Sequence, residues 1–221
     1  MKSVVAIVSG GLDSVTLAYL LSSQGYSLHL LAFDYGQRHV KEVQCAQLCA
    51  QRLGATFDRL DLRAVGEMLT QNSLTSIDNA VPDGHYTDST MKVTVVPNRN
   101  AIMLTVAFGI AANYGYDAVA IGVHGGDHTI YPDCRPEFLA RFSSMEETAL
   151  GEWATVKLLA PFVEMDKTDI VRLGIGLGVP FIDTWSCYKG REAHCGTCGT
   201  CVERKEAFSL AGMDDPTVYV V

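Results

Sequence analysis

Short apolar runs recur along the chain, each followed by a turn and then by apolar residues at helical spacing. Val4-Val5-Ala6-Ile7-Val8 is apolar at every position and rich in β-branched residues, the pattern of a strand buried on both faces of a parallel sheet. Behind it, Val15, Leu17, Ala18, Leu20 and Leu21 fall on one helix. Leu28–Phe33 predicts a second parallel strand, and Val43, Ala46, Leu48, Ala50 and Leu53 the helix after it. Phe57–Leu62 alternates as a third strand should, Asp117–Val123 reads as another buried strand, and Lys157–Phe162 as a last one that Pro161 ends. Between these lie a helix from Ala101 to Ala107 with Asn100 as its N-cap, and a stripe of Phe138, Phe142, Met145 and Ala149 expected in the core. Asp166 is placed to cap a helix from Lys167 to Gly174, and Val202–Leu210 predicts a short closing helix. Strands alternating with helices predict an α/β fold with a doubly wound, mainly parallel sheet. Residues 72–91, polar and turn-rich, read as a long loop over the ligand face, with a functional and a disordered reading both open.

The chemistry concentrates where strands end. Ser9-Gly10-Gly11-Leu12-Asp13-Ser14 joins the first strand to its helix. Gly10 and Gly11 let a ligand approach the main chain, the first helical amides are unpaired, and Ser9 and Ser14 add hydroxyls; together these make an anion site. The string lacks the Gly-Lys-Ser/Thr ending of the common nucleoside-triphosphate loop, and it is not the Gly-x-Gly-x-x-Gly of dinucleotide folds. Asp13 makes sense as a magnesium ligand or as a partner of the loop's own amides; the sequence does not choose.

Other strand exits carry weaker signals. Ala32–Tyr35 lies where a base is read at the carboxyl edge of a parallel sheet. Arg38 and His39 fit phosphate contact and a solvated helix start equally well. Arg99, beside a helix N-terminus, has a fork suited to phosphate or carboxylate. Asp127, Asp133, Arg135 and Glu137 crowd one loop with two prolines, a density that favours a polar ligand. Lys167 is expected to be solvated, with phosphate contact the lesser reading.

Composition narrows the classes. Of 221 residues, 48% are apolar and 19% charged, enough for a buried core, and no run approaches the roughly 18 uninterrupted apolar residues of a membrane span. A net charge of −8 argues against a large nucleic acid as partner. The chain starts almost directly on a core strand, which leaves no room for a signal peptide, and with seven cysteines, an odd number, this predicts a cytoplasmic protein. Cys187, Cys195, Cys198 and Cys201 form C-x7-C-x2-C-x2-C with glycines between them, a set that closes tetrahedrally on one structural zinc ion. Iron–sulfur binding and free thiols are the competing readings, and no cysteine follows Cys201 to continue the ferredoxin pattern. His194 is read as a neighbour of this site, and Cys45 and Cys49 as packing residues.

The Ser-Gly-Gly-x-Asp-Ser loop resembles the signature of the pyrophosphate-loop ATPases, which cleave ATP between its α and β phosphates. With Asp34-Tyr-Gly-Gln37, Val96-Pro-Asn-Arg-Asn100, Tyr131-Pro-Asp-Cys-Arg-Pro-Glu-Phe138, Trp185-Ser-Cys-Tyr188 and Cys195-Gly-x-Cys-Gly-x-Cys201, the chain resembles the 7-cyano-7-deazaguanine synthase family over residues 9–201. The loop alone is shared with asparagine, NAD and GMP synthetases; the proline-cysteine-arginine block combined with the four-cysteine tail is more specific.

The resemblance implies an adenine nucleotide α-hydrolase-like, Rossmann-like catalytic domain over 1–182 and a zinc-binding segment over 183–221 packed on it. It implies ATP with magnesium as cosubstrate, ammonia, 7-carboxy-7-deazaguanine and a homodimer, with no nucleic acid or membrane partner. ATP falls to Val8, Ser9, Gly10, Gly11, Leu12, Asp13, Ser14, Val15, Thr16, Leu17 and Ala18. Asp13, Ser14 and Arg99 take the catalytic roles, Asp133 and Arg135 the deazaguanine, and Cys187, Cys195, Cys198 and Cys201 the zinc. A tRNA-modifying relative of the same ATPase class and a nucleotide-binding module without turnover are the rival readings.

Overall fold

Alternate residues of the first strand, β1 (Ser3–Ile7), face two different cores, and the molecule is built outward from that alternation. Val4 and Ala6 point to one side and Val5 and Ile7 to the other, and all four are at least nine-tenths buried. This computed structural model describes residues 2–85, 91–127 and 131–220, with the side chain of Asp127 outside the description.

The remaining strands are β2 (Ser27–Asp34), β3 (Thr56–Asp61), β4 (Ala118–Ala120) and β5 (Lys157–Leu159). All pair in parallel, in the order β3-β2-β1-β4-β5. The helices are α1 (Leu12–Ser23), α2 (Lys41–Leu53), the single turn α3 (Arg63–Gly66), α4 (Arg99–Tyr114), α5 (Pro136–Leu150), α6 (Lys167–Gly176) and α7 (Gly199–Ala211). One core lies under α1, α2, α6 and α7, and reaches Phe162, Ala207 and Phe208; the other lies under α4 and α5. The doubly wound parallel sheet expected from the pattern is what forms. Its order reverses between β1 and β4, so a crevice opens at the carboxyl ends of those two strands.

Two local expectations fail. Asn100 does not cap α4: the helix starts at Arg99, preceded by Asn98 in the left-handed region at φ 60°, which asparagine tolerates better than most residues. Asn100 lies in the first turn, and its N–H donates to Asp133 Oδ2 at 2.9 Å, so the cap comes from a distant segment. On α5 the buried face is Leu139, Phe142 and Glu146, while Met145 is 45% exposed and Ala149 is also exposed. The stretch Lys92–Tyr114 has the length and composition to cross a membrane, yet Met103, Leu104, Ala107, Phe108 and Ala111 of α4 are buried in the second core.

The described part of the long loop is fastened. Asn72, Ser73 and Leu74 are fully buried; Ser73 N–H donates to Val93 O at 2.6 Å, and Arg38 N–H to Leu74 O at 2.9 Å. Arg38 Nη2 also donates to Ser76 O at 2.5 Å and Asn79 O at 2.7 Å, so this arginine latches the loop. Residues 86–90 of the same loop lie outside the described residues.

Candidate active site

The turn after β1 is shaped by one glycine. Gly10 has φ +99°, and a Cβ there would stand 1.9 Å from Glu42 O and 2.7 Å from Ala46 N, so only glycine lets the loop pass against α2. Ser14 Oγ receives Gly10 N–H at 3.2 Å and donates to Gly11 O at 3.3 Å; Ser9 Oγ stands 3.2 Å from it and receives Gly11 N–H at 3.3 Å. The first intrahelical bond runs from Val15 N–H to Gly11 O at 3.0 Å, so the amides of Leu12, Asp13 and Ser14 end the helix unpaired by it. These three residues line a cavity of about 200 Å³ at the β1/β4 crevice, whose lining draws on the ends of β1, β2 and β4, on α2, α4, α6 and α7, and on Trp185, Ser186 and Tyr188.

Asp13 does not turn back on the loop amides. Its Oδ1 is buried without a hydrogen-bond partner, and its Oδ2 lies 3.6 Å from Lys167 Nζ and 3.9 Å from His124 Nε2. Lys167 is therefore no solvated residue: its side chain is 15% exposed, and it also pairs with Glu203 Oε2 at 2.5 Å. Asp166, which caps α6 by accepting from Asp169 N–H at 2.8 Å, sets the turn that carries Lys167 to the loop.

The opposite wall is aromatic and ionisable. Tyr35, at the end of β2, receives Arg99 Nη1 at 3.3 Å, and its burial holds the phenol up at about 12. Burial lowers His39 to about 3 and raises Glu42 to about 8; Gln37 and Arg99 pull Glu42 the other way. Thus His39, read as a possible phosphate contact, is a buried neutral imidazole, stacked at 4.9 Å on Tyr188.

Of the sequence-selected residues, Val8, Ser9, Gly11, Leu12, Asp13, Ser14 and Arg99 line the cavity; Gly10 shapes the turn beside it, Val15, Thr16, Leu17 and Ala18 are buried along α1, and Asp133 and Arg135 are not among its lining residues. Asp133 spends its carboxylate on the α4 amide, and Arg135 is exposed. Glu42, Lys167, Trp185, Ser186, Glu203 and Arg204 line the cavity without having been selected as site residues. Of these, Trp185 and Ser186 carried a signal in the Trp-Ser-Cys-Tyr motif, and Lys167 one in the lesser reading of phosphate contact. Arg204, 1% exposed, ties this wall together through Thr184 Oγ1 at 2.7 Å, Ser186 Oγ at 3.2 Å, Phe181 O at 3.0 Å and Asp215 at 3.1 Å.

The four cysteines converge behind that wall. All are buried, and their sulfurs lie within 4.8 Å of one another. A tetrahedron of Zn–S bonds of about 2.3 Å spaces its sulfurs by about 3.8 Å, close to the 3.9 Å between Cys195 and Cys201. Amides already point at sulfur: Cys195 N–H to Cys187 at 3.4 Å, Thr197 N–H to Cys195 at 3.4 Å and Cys198 N–H to Cys195 at 3.2 Å, an arrangement that suits thiolates. The donor set fits one soft tetrahedral ion. His194 stands outside it, accepting Ser186 N–H at 3.0 Å and stacking on Trp185. Cys45 and Cys49 belong to no metal cluster among the described residues, and burial raises their thiols to about 11 and about 12. The long loop joins the cluster: Gly84 N–H donates to Thr197 O at 2.8 Å, and Asp83 Oδ1 receives Lys189 Nζ at 2.5 Å and Thr197 Oγ1 at 2.6 Å.

Comparison with known proteins agrees with this architecture. The chain is 59% identical over 219 residues to 7-cyano-7-deazaguanine synthase of Brucella ovis, covering 99% of this chain and 94% of that one, and equally similar to the enzyme of Brucella canis. Among solved structures, a predicted subunit of tRNA methyltransferase from Methanocaldococcus jannaschii aligns with a TM-score of 0.52 at 19% identity, covering 79% of this chain and 75% of that one. NMN synthetase from Francisella tularensis aligns with a TM-score of 0.52 at 17% identity, over 96% and 78%. Both share the fold. The family model described as queuosine biosynthesis protein QueC matches residues 3–212, nearly the whole chain, and the chain belongs to that family.

Proposed function

We propose that this chain converts 7-carboxy-7-deazaguanine, ammonia and two ATP to 7-cyano-7-deazaguanine, two AMP and two pyrophosphates. The observation that carries the reading is the 59% identity along 99% of the chain to proteins bearing that enzyme's name. The cavity supports it. ATP lies with its phosphates on the amides of Leu12, Asp13 and Ser14 and on the hydroxyls of Ser9 and Ser14. Lys167 and Arg99 bring positive charge to the same space, so the work of the site is positioning and charge stabilisation. The substrate carboxylate takes AMP, ammonia displaces it to give the amide, and a second adenylation of the amide oxygen lets AMP leave with formation of the nitrile.

Asp13 is the residue for magnesium, because its buried Oδ1 lacks a partner. A magnesium ion, when bound, supplies neutralising charge to the departing pyrophosphate. Cys187, Cys195, Cys198 and Cys201 hold a structural zinc ion. We read residues 1–182 as the catalytic domain and 183–221 as a segment packed on it, in a cytoplasmic homodimer that binds no nucleic acid, in keeping with the charge of −8. For the deazaguanine, Asp133 and Arg135 give way in this reading to groups that line the cavity. The test is mass spectrometry of products from the purified protein with ATP, magnesium, ammonium and the acid. Nitrile with AMP is expected; AMP only with another acid or with tRNA would overturn the substrate.

A further inference from the structure

The reaction just proposed, on which this inference rests, strips its nitrogen bare. An ammonium ion brings four hydrogens and a nitrile nitrogen keeps none, so the cavity needs a proton acceptor. Among the described lining residues the carboxylates are Asp13, Glu42 and Glu203, and the first and last share Lys167. Glu42 is left.

Its setting is that of an oriented base. Gln37 is pinned by the main chain, accepting Tyr35 N–H at 2.9 Å and donating to Phe33 O at 3.0 Å, and its amide also donates to Glu42 Oε1 at 3.2 Å. His39 Nε2 lies 3.4 Å from the same oxygen. Both contacts fall on Oε1, and Glu42 itself is one of the residues that line the cavity. His39 is held in turn by Tyr188, and its Nδ1 is buried without a partner. A carboxyl fixed by two neighbours at the wall of the reaction cavity is the arrangement a general base requires.

We propose that Glu42 is the proton acceptor for amination and for nitrile formation. Its carboxylate takes a proton from ammonium, and the freed lone pair forms the C–N bond at the acyl carbon. The C–O bond to AMP breaks with its electron pair on AMP, and a second proton leaves nitrogen to give the amide. The amide oxygen then attacks the α-phosphorus of the second ATP, expelling pyrophosphate. The last two protons leave nitrogen as C≡N forms, and the C–O bond breaks with its pair on AMP. No atom changes oxidation state, and Glu42 returns each proton to solvent between steps. The groups facing Glu42 are Tyr35 from β2, His39 from the turn before α2, Arg99 from α4, and Cys45 one turn along its own helix. With burial holding its carboxyl near 8, it accepts and releases protons close to neutrality.

Glu42→Gln separates this role from substrate binding. Acid-dependent ATP–pyrophosphate exchange without an amine reports adenylation alone, and single-turnover amide formation reports amination. We expect exchange within about threefold of wild type and amination by ammonium lower by roughly 10²–10⁴, the usual weight of general acid–base catalysis. Hydroxylamine, which reaches the site unprotonated at neutral pH, should recover most of the lost rate. Amination unchanged with ammonium, or exchange falling as far as amination, would overturn the proposal. Should the glutamine variant fail to fold, Glu42→Asp keeps the carboxyl and should retain partial amination with full exchange. Wild-type exchange that does not respond to this acid would bring down the proposed function itself, before any variant is compared.

Discussion

Glu42 also leaves a signature on stability, and its sign is fixed by the direction of its shift. Folding raises this carboxyl from 4.5 to about 8, so between those values the native state holds a proton that the unfolded chain has released. Stability from this group therefore falls as pH rises through that window, and is flat below and above it. His39 acts oppositely: lowered from 6.5 to about 3, it costs stability as pH falls through that range. The Tm of Glu42→Gln minus that of wild type should climb between pH 4.5 and 8 and level off above, each 1 kcal/mol appearing as roughly 2–4 °C in a domain of this size. A difference that is constant with pH would mean the carboxyl titrates normally. Glu42 did not announce itself in sequence, because a glutamate near a helix start reads as solvated until the loop glycine is seen packed on its backbone, and His39 offered only the choice between phosphate contact and a solvated helix start. Lys167 was hidden for the same reason: local pattern places it at a helix N-terminus, and only tertiary contact brings it to Asp13.

At the scale of elements, the strands were legible and the helix phases less so. Strands buried on both faces are apolar throughout, so β1, β2 and β4 could not be mistaken. In α5, Met145 looked like core because methionine is apolar, whereas the buried face takes Glu146 instead; polarity alone misplaces the helix by a fraction of a turn. The start of α4 was misread because its cap is supplied by Asp133 across 33 positions, beyond any local signature. Asp133→Ala should thus lower stability by about 1 kcal/mol, as loss of a cap does, and change KM for the acid by less than about threefold. A large rise in KM with unchanged melting would restore Asp133 to the substrate site.

For the whole molecule, the cysteine cluster matters through what it fastens. It joins the long loop through Asp83 and Thr197, and the wall Trp185–Tyr188 through Cys187, while α7 continues from it into the main core. Elemental analysis should give one zinc per chain. Chelation should lower Tm and abolish nitrile formation while much of the far-UV helical signal persists, since α7 is the one helix of those described that carries a cluster cysteine. Retention of full activity by metal-free protein would remove the cluster from the functional account. The spacing of the cysteines made this centre readable in advance; its connection to the loop, 114 positions away in sequence, was not.

The central place of β1 has a consequence for how the chain comes to fold. One of its flanks is completed by β2, which follows closely, but the other waits for β4, and Ser3 finds Asp117 only across 114 positions. During synthesis the nascent chain therefore carries an apolar strand with one open ladder until β4, more than 110 positions further on, has left the ribosome. Such an edge is a template for wrong pairing, and contacts of this sequence separation slow the search for the right one. A strand buried on both faces in the finished molecule is thus one in need of protection while the molecule is being made.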